Sequence, residues 1–289
     1  MVLKCYIFPM SARILDGKSL AESIEKDLKQ VVVSLSHKPK LVIVQVGNNI
    51  ESDIYIGYKK RFAERVGVDC IHERYTEDEK EEKIIDDIVR YGNDTSVTGI
   101  MVQLPLPQNF NTRKILDTIP PAKDVDGLTS HSLTQLLYGG EAFLPAVAHA
   151  VFEILENYNI SIFGKKVVVV GKSELVGKPI ALKCMNMEAT VSVCHSNTIN
   201  LAQETQTADI LIVGAGSLGL VGREGVRTGQ VVIDIGTNPV SSGPVGRRVA
   251  GDVRFEEVLD IVSDITPVPG GVGPVTVACL FKNLLEGLS

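Results

Sequence analysis

Apolar and polar residues alternate along the chain in two distinct patterns. In the segment "LAESIEKDLKQVVVSL" apolar residues recur every three or four positions, at Leu20, Ile24, Leu28, Val31 and Leu35. This spacing predicts an amphipathic helix. The segment that follows, "KLVIVQVG", is a β-branched run of the kind that forms a buried strand.

The same alternation of helix and strand continues along the rest of the chain. Helical "ESDIYIGYKKRFAERVG" precedes the strand "DCIHERY", and charged "EDEKEEKIIDDIVRYG" precedes the strand "VTGIMVQL". A second series of strands consists of "KKVVVVG", "ATVSVC", "ADILIVGAG" and "QVVIDIG". This pattern is typical of parallel sheets covered by helices. We therefore predict an α/β protein of two domains with a boundary near Pro145.

Length, charge and the absence of long apolar runs indicate a two-domain protein without a nucleic-acid or membrane partner. A chain of 289 residues is long enough for two domains that each bury a core. The net charge is -6, and no block of Lys and Arg forms a basic stripe, so we expect no nucleic-acid partner. No apolar run approaches about 18 residues, so we expect no membrane partner either.

The cysteines and the first residues suggest neither a disulfide framework nor secretion. The chain has five cysteines, an odd number without C-x-x-C spacing, which argues against disulfides and against a zinc site. We expect buried, reduced thiols and no metal. The opening "MVLKCYIFPM" lacks the features of a secretory signal. We interpret the first nine residues as an extension and Met10 as a second possible start.

The second half contains a candidate nucleotide site. In "VVVVGKSELVGKP" a strand is followed by Gly171, a short loop, Gly177 and the start of a helix. Bare amides and a helix N-terminus together favour a dinucleotide phosphate, although the glycines are not spaced as G-x-G-x-x-G. A kinase-type phosphate loop ending in "GKS" is excluded, because Lys166 stands where that loop needs a glycine.

The residues after the next strand favour NADP over NAD. An acidic residue usually follows this strand in an NAD site, whereas this chain has His195 and Ser196. Lys172 could add a positive charge near a 2′-phosphate. The alternative is a solvated lysine beside an ordinary turn at the end of a strand.

One helix of the first half carries an unusual polar face. Ser52, Tyr55 and Lys59 are three and four positions apart, so their side chains share one side of the helix. A lone tyrosine and lysine on a helix are usually solvated surface. The alternative is that this face lines a pocket.

Two further segments favour the pocket. Gln103 ends a predicted strand, and the carboxyl ends of parallel strands converge on the ligand crevice. The tight loop "PPAKDVDGL" offers Asp124 and Asp126. A lysine beside apolar walls has a lowered pKa and exchanges protons near neutrality. Lys59 is therefore a candidate proton-transfer group that needs neither a metal nor a nucleophilic serine.

The segment "ITPVPGGVGPVT", residues Ile265 to Thr276, contains three prolines and three glycines between a predicted strand and a predicted helix. Proline makes the backbone stiff, and glycine lets a ligand approach it closely. An ordinary connecting turn is the alternative, although the density of these residues exceeds what a turn requires.

These segments together resemble the bifunctional methylenetetrahydrofolate dehydrogenase/methenyltetrahydrofolate cyclohydrolase family over nearly the whole chain. The resemblance is carried, in order, by "ILDGKSLA", "VGNNIESDIYIGYKK", "GIMVQLPLP", "PAKDVDG", "VVGKSELVGKP", "CHSNT", "GDV" and "ITPVPGGVGPVTVA". It implies an α/β catalytic domain over residues 1–145 and a Rossmann-like NADP-binding domain over 146–271, with the active site in the cleft between them. Residues 272–289 are expected to form a helix that packs back toward the catalytic domain.

The resemblance also implies roles for individual residues. Tyr55 matches a tyrosine that stacks on the folate ring, Lys59 the lysine of the cyclohydrolase step, and Gln103 the hydrogen-bonding neighbour of that lysine. Further substrate contacts are expected from Ser52, from Asp126 on the amino edge of the pterin, and from Pro269, Gly270 and Gly271. The expected NADP contacts are Gly171, Lys172, Ser173, Val176, Gly177, His195 and Ser196, with Gly273 and Thr276 near the nicotinamide.

The implied function is oxidation of 5,10-methylenetetrahydrofolate with NADP, followed by hydrolysis of the methenyl product to 10-formyltetrahydrofolate. The resemblance further implies a cytoplasmic homodimer in one-carbon metabolism that serves purine biosynthesis. Two alternatives remain open, namely an enzyme with only one strong activity and a folate- or nucleotide-binding protein without catalysis.

This chain departs from the family pattern at two places. The family usually has arginine at the position of Lys172, so the charge is kept while bidentate binding of a phosphate is lost. In "LPAVAHA" the family pattern is Pro-Cys-Thr-Pro-x-Gly or Ala, of which only Pro145 and Ala150 remain. Val147 cannot form the hydrogen bonds of the threonine, so we expect weaker positioning of the nicotinamide.

Overall fold

The structure is a computed structural model that describes residues 11–243 and 246–288. The predicted extension, Met10 and Cys5 lie outside the described residues. The strands are β1 (Arg13–Ile14), β2 (Lys40–Val46), β3 (Asp69–Tyr75), β4 (Gly99–Val102), β5 (Lys166–Val170), β6 (Thr190–Cys194), β7 (Ile210–Val213), β8 (Val231–Asp234), β9 (Asn238–Gly243), β10 (Gly246–Ala250) and β11 (Asp264–Ile265).

Helices alternate with these strands as the sequence predicts. They are α1 (Gly17–Ser34), α2 (Ile50–Val66), α3 (Glu81–Asn93), α4 (Thr112–Leu116), α5 (Ser130–Tyr138), α6 (Ala146–Asn157), α7 (Gly177–Asn186), α8 (Leu201–Gln206), α9 (Phe255–Val258) and α10 (Val272–Glu286). Within the described part of the chain, none of them is long and apolar enough to cross a membrane.

The chain forms two compact units and passes between them three times. The first unit contains residues 11–18 and Val151–Gly273, and the second contains Ser19–Ala150 and residues 274–288. Helices α6 and α10 each contribute residues to both units. Neither unit is therefore one continuous stretch of sequence.

The second unit is built on a parallel sheet with the strand order β3-β2-β4. Val42 and Val44 of β2 face one core, where they pack with Ile84 and Ile88 of α3. Because side chains alternate along a strand, the opposite face is formed by the other residues of β2 and β4. Fully buried Leu41, Ile43 and Met101 are followed on this face by Gln45 and Gln103. The apolar face thus becomes polar at the carboxyl ends of its strands.

The first unit is built on a six-stranded parallel sheet with the order β1-β11-β8-β7-β5-β6. Strand β5 lies between β7 and β6, so the connections from β5 and β6 run in opposite directions across the sheet. Such a reversal opens a crevice at the carboxyl ends of the strands. The loop after β5 begins with Gly171, which is the position predicted for phosphate binding.

The alternation of elements in the sequence predicted most of this architecture, with differences at element ends. The charged segment before β4 forms a helix only from Glu81, because Thr76–Lys80 form a turn. The hairpin of β9 and β10 was not predicted, because "NPVSSGPVGRRVA" combines proline and glycine with few apolar residues. Strand β1 pairs with β11 far along the chain, and this pairing leaves no local pattern.

The thiols largely follow the prediction. Cys184, Cys194 and Cys279 are buried thiols that form no disulfide, and burial raises the pKa of the first two. Cys70 on β3 also forms no disulfide, but it is only half-buried. The prediction of a buried thiol is therefore wrong for Cys70, because its strand lies at the edge of the three-stranded sheet.

Candidate active site

Helix α2 carries three of the predicted site residues. Asn49 caps the helix by accepting a 2.9 Å hydrogen bond from the backbone N–H of Ser52, and Gly67 ends it in the left-handed conformation. Ser52 is buried at the start of the helix, whereas Tyr55 is 37% exposed one turn later. Lys59 is half-buried one turn further on, so the predicted face is not simply solvated surface.

Lys59 and Gln103 are brought together as the sequence predicts. Lys59 Nζ donates a 2.8 Å hydrogen bond to Gln103 Oε1, and Gln103 Nε2 donates to the carbonyl of Leu104 at 2.9 Å. The second bond fixes the orientation of the amide, so its oxygen faces the lysine. Burial lowers the pKa of Lys59, against the charges of Asp126 and Cys70, which raise it.

Asp126 lies in the same electrostatic environment. Burial raises the pKa of its carboxyl to about 6, while the charge of Lys59 lowers it and that of Asp124 raises it. The backbone N–H of Ala146, the first residue of α6, also lowers this pKa, although less than Lys59 does. A lysine with a lowered pKa and a carboxyl with a raised pKa are the usual arrangement for proton transfer near neutrality.

Asp124 has a different role from Asp126, although both belong to one short loop. Its side chain is 1% exposed and accepts hydrogen bonds from the N–H groups of Leu128 and Thr129 at 3.1 and 2.9 Å. It also accepts from Ser132 Oγ at 2.6 Å. These donors hold the loop to the first turn of α5, so Asp124 is a structural residue.

A polar cluster around Gln45, on the face of the three-stranded sheet that carries Gln103, was not predicted from the sequence. Gln45 is 1% exposed, and its Nε2 donates to Asp53 Oδ1 at 2.8 Å. His72 Nε2 lies 2.8 Å from Gln45 Oε1, so this ring nitrogen carries a proton, and Arg74 donates to Asp53 at 3.1 Å. The cluster joins the first turn of α2 to β2 and β3. Its only signal in the sequence was a glutamine within the otherwise apolar strand "KLVIVQV".

The first unit has the backbone shape expected of a nucleotide site. Gly171 has φ +119°, and a Cβ at this position would lie 2.3 Å from the carbonyl oxygen of Gly214. A Cβ on Gly177, the first residue of α7, would lie 1.9 Å from the carbonyl oxygen of Gly171. Only glycine fits at these two positions, and the result is a cradle of bare backbone at a helix N-terminus.

The remaining residues predicted for this site lie around that cradle. Ser173 Oγ accepts a 3.2 Å hydrogen bond from the N–H of Val176, and Lys172 is exposed beside it. The N–H of Gly171 donates to the carbonyl of Cys194 at 2.8 Å, which brings the ends of β5 and β6 together. Half-buried His195 and exposed Ser196 follow directly. Neither of the two residues that follow β6 is therefore acidic.

The proline- and glycine-rich segment is a loop between β11 and α10, as predicted. The N–H of Lys18 donates to the carbonyl of Gly270 at 3.0 Å, and a Cβ on Gly17 would lie 1.9 Å from the carbonyl oxygen of Gly271. Gly270 has φ +110°, and Pro269 is exposed. The glycine at the start of α1 therefore allows close packing against this loop, while a Cβ on Gly271 would lie 2.6 Å from the carbonyl oxygen of Pro267.

Gly273 and Thr276 lie in the first two turns of α10. No described atom other than those of its chain neighbours and its own helix lies within 4 Å of the place where a Cβ of Gly273 would stand. Glycine at this position is therefore not required by contacts within the described chain. Gly273 belongs to the first unit and Thr276 to the second.

Val147, the main departure from the family pattern, lies in the first turn of α6 and is half-buried. It follows Ala146, whose N–H lowers the pKa of Asp126. Among the described residues, no group of three His, Cys, Asp or Glu side chains is arranged to hold a metal ion.

Fold and site together define an α/β enzyme with one dinucleotide-binding unit and one unit that carries a lysine and a carboxyl with shifted pKa values. The profile described as "Tetrahydrofolate dehydrogenase/cyclohydrolase, catalytic domain" matches residues 15–126, and that of the "NAD(P)-binding domain" of the same enzymes matches residues 145–289. The chain belongs to the tetrahydrofolate dehydrogenase/cyclohydrolase family. The predicted family and fold class are confirmed.

Individual relatives cover nearly the whole chain. The bifunctional protein FolD of Halalkalibacterium halodurans is 40% identical over 280 residues, which are 96% of this chain and 99% of that protein. The crystal structure of the bifunctional FolD enzyme from Campylobacter jejuni has a TM-score of 0.92 at 38% identity, with coverage of 96% and 98%. FolD from Trypanosoma brucei, solved with NADP cofactor and an inhibitor, has a TM-score of 0.92 at 34% identity, with coverage of 96% and 97%.

Proposed function

We propose that this chain catalyses two consecutive reactions of one-carbon metabolism. The first oxidises 5,10-methylenetetrahydrofolate to 5,10-methenyltetrahydrofolate with NADP, and the second hydrolyses the methenyl compound to 10-formyltetrahydrofolate. The observation that carries the proposal is the hydrogen bond between Lys59 and Gln103, at a lysine whose pKa burial lowers. This pair lies within residues 15–126, which match the catalytic domain of the family.

The residues of the first unit fit NADP. The backbone cradle of Gly171 and Gly177 suits a pyrophosphate, because a side chain at either position would collide with main-chain atoms. Lys172, His195 and Ser196 are proposed to hold the 2′-phosphate of the adenosine ribose, because no acidic residue follows β6 to repel it. NADP, when bound, accepts the hydride from the methylene carbon of the folate. Gly273 and Thr276 are proposed to contact its nicotinamide.

Lys59 is proposed to move the protons of the hydrolytic step. Addition of water to the methenyl carbon releases a proton, and opening of the ring requires a proton on the departing nitrogen. An amine with a lowered pKa can accept the first and donate the second near neutral pH. Gln103 holds the amine toward the reacting carbon in either protonation state, because its carbonyl oxygen accepts from both.

The other polar residues of the second unit are proposed to bind the folate. The Asp126 carboxylate would accept hydrogen bonds from the amino edge of the pterin, and the exposed ring of Tyr55 offers a stacking surface. Ser52 completes the proposed substrate contacts of this unit, and Pro269, Gly270 and Gly271 of the first unit remain predicted substrate contacts. The domain boundaries expected from the sequence remain a prediction.

A spectroscopic assay tests the proposal. Purified protein is given 5,10-methylenetetrahydrofolate with NADP or NAD, and the methenyl product is followed by its absorbance. The same protein is then given 5,10-methenyltetrahydrofolate without coenzyme, and loss of that absorbance reports hydrolysis. Turnover of both substrates is expected. Turnover of one alone would reduce the proposal to a single activity, and turnover of neither would leave a binding protein.

Assembly and location extend the proposal. The family resemblance supports a cytoplasmic homodimer whose 10-formyl product serves purine biosynthesis. Light scattering on the purified protein is expected to give twice the mass of the chain, and fractionation of the source cells is expected to place it in the cytoplasm. Deletion of its gene is expected to make growth depend on added purines where no second route to the formyl donor exists.

A further inference from the structure

Asn283 joins segments of the second unit that are far apart in the sequence. This residue lies in α10 and is 1% exposed. Its Nδ2 donates two hydrogen bonds of 2.9 Å, one to the carbonyl of Val125 and one to the carbonyl of Leu144. A side-chain amide has two N–H donors, so both are used. One amide group thus connects the loop of Asp126 to the segment before α6.

These two carbonyls belong to the segments that hold the Asp126 carboxylate. Val125 directly precedes Asp126, and Leu144 lies two residues before Ala146, whose N–H lowers the pKa of that carboxyl. The segments are also packed main chain to main chain. Gly127 has φ +63°, and a Cβ there would lie 2.4 Å from the carbonyl oxygen of Phe143 and 2.8 Å from the nitrogen of Pro145. Asp126 therefore lies at a junction of two packed segments, its own loop and the segment before α6, and Asn283 is hydrogen-bonded to both.

His149 fixes the orientation of Asn283. Its Nδ1 lies 2.8 Å from Asn283 Oδ1. The two carbonyls require the NH₂ group of Asn283 to face them, so its oxygen faces the histidine and His149 Nδ1 is the protonated nitrogen. An amide turned by 180° would place oxygen against two carbonyl oxygens. The arrangement has one orientation with all of these hydrogen bonds satisfied.

We propose that Asn283, oriented by His149, is a positioning residue that places the Asp126 carboxylate for the folate substrate. The inference rests on the proposed function, because it takes Asp126 as the group that binds the pterin. Asn283 acts through the backbone of that loop and of the segment before α6. Its loss should therefore affect binding of the folate and leave binding of NADP unchanged.

The first test is a double-mutant cycle between Asn283→Leu and Asp126→Asn. Asn283→Leu is expected to raise the KM for the folate in both reactions by about tenfold, because a small displacement of a binding group is costly. The KM for NADP should stay within about twofold of the parent value. In the Asp126→Asn background the same substitution should add little. Additive effects of the two substitutions would overturn the proposal.

Control variants separate positioning from general stability. Leu285→Ala removes a buried side chain from the same helix without touching either carbonyl, and it should lower the melting temperature without raising the folate KM. If Asn283→Leu does not fold, His149 provides the test. His149→Leu should raise the folate KM, whereas His149→Asn, which keeps a donor near the Nδ1 position, should restore it. Equal KM values in both His149 variants would contradict the proposal.

A measurement without turnover keeps this inference separate from the proposed function. The carboxyl of Asp126 is titrated by NMR in protein with ¹³C-labelled aspartate, and the signal is assigned by its absence in Asp126→Asn. The N–H of Ala146 lowers the pKa of this carboxyl, so loosening the junction through Asn283→Leu should raise that pKa. An unchanged pKa would reject the positioning role even if the parent protein turns over both substrates. A raised pKa in a protein without turnover would reject only the function.

Discussion

Lys59 donates its 2.8 Å hydrogen bond to the neutral side-chain oxygen of Gln103, while the carboxylate of Asp126 raises the pKa of the same amine through its charge. Burial opposes that charge and has the larger effect, so the pKa of Lys59 is lowered. The amide oxygen accepts a hydrogen bond from an ammonium and from an amine alike. The site therefore holds the lysine in position without fixing its protonation state.

Lys59→Met should remove hydrolysis of the methenyl compound and largely spare hydride transfer. The hydride leaves a carbon already activated by the nitrogens of the substrate, whereas hydration requires protons to be moved. A positioned proton-transfer group contributes about a hundredfold to ten-thousandfold, so the cyclohydrolase rate should fall by at least the lower factor. The variant should accumulate methenyltetrahydrofolate in the spectroscopic assay. Lys60→Met, at the exposed neighbouring lysine, is the matched control and should keep both rates.

Gln103→Leu and Gln103→Glu should shift the pH dependence of hydrolysis in opposite directions. Leucine removes the acceptor of the ammonium, which lowers the pKa of Lys59 further and moves that limb of the pH profile of kcat/KM to lower pH. Glutamate places a negative charge beside the ammonium, which raises its pKa and moves the limb to higher pH. Gln103→Leu should also reduce the rate, though less than Lys59→Met does. Profiles that coincide with that of the parent would show that Lys59 does not set this limb.

Asp126→Asn should stabilise the protein at neutral pH, and Asp124→Asn should destabilise it. The pKa of Asp126 is raised from 3.8 to about 6 on folding, so its ionisation opposes folding above that range. The cost at pH 7 is up to about 3 kcal/mol and disappears as pH falls through 6 toward 3.8. Asn at position 124 weakens three buried hydrogen bonds and should cost about 1–3 kcal/mol. Urea unfolding at pH 7 and pH 4 measures both effects, and a gain from Asp126→Asn that is equal at both pH values would contradict the argument.

NADP should be preferred over NAD. Lys172 and His195 stand where an acidic residue would repel a 2′-phosphate, and one charge-assisted contact gives about a tenfold to hundredfold preference in kcat/KM. Lys172→Ala should reduce this preference, and Lys172→Arg should increase it, because guanidinium binds phosphate through two hydrogen bonds. Lys165→Ala, an exposed lysine before β5, is the control. Equal efficiency of the parent protein with both coenzymes would refute the assignment.

Val147→Thr should raise dehydrogenase turnover and leave hydrolysis unchanged. Threonine at this position of the first turn of α6 restores the hydroxyl of the family pattern and nearly keeps the shape of valine. Val147→Ala changes the shape of the side chain without adding a hydroxyl, so it separates the effect of shape from the effect of the hydroxyl. If hydride transfer does not improve with threonine, the departure at this position is already compensated by other contacts of the nicotinamide.

The family resemblance implied the hydrogen bond between Lys59 and Gln103, whereas the local pattern predicted only where each residue lies. Helical spacing placed Lys59 on the face of Ser52 and Tyr55, and the end of an apolar strand placed Gln103 at the carboxyl edge of the sheet. Both inferences use only local pattern and the geometry of parallel sheets.

Only the family resemblance distinguished Asp126 from Asp124, because the local pattern treats the two acids alike, and nothing in the sequence indicated Asn283. The two acids occupy one loop, and their roles differ because the donors Leu128, Thr129 and Ser132 reach only Asp124 after the loop has folded. Asn283 lies 158 positions from Val125 and within a helix of mostly apolar residues. No local spacing connects it to the carbonyls that it binds.

The threefold passage of the chain between its units governs the order in which the protein can be completed during synthesis. Strand β1 is made first, but it pairs with β11, and Arg13 meets Asp264 across 251 positions. The loop of Asp126 is made early too, but its hydrogen bond from Asn283 can form only near the end of synthesis. Synthesis must therefore pass Ile265 before β1 can pair with β11 at the edge of the six-stranded sheet. It must pass Asn283 before the loop of Asp126 can form its hydrogen bond to α10. A chain released midway would expose two unfinished cores at once, and such surfaces are the ones that chaperones and proteases bind.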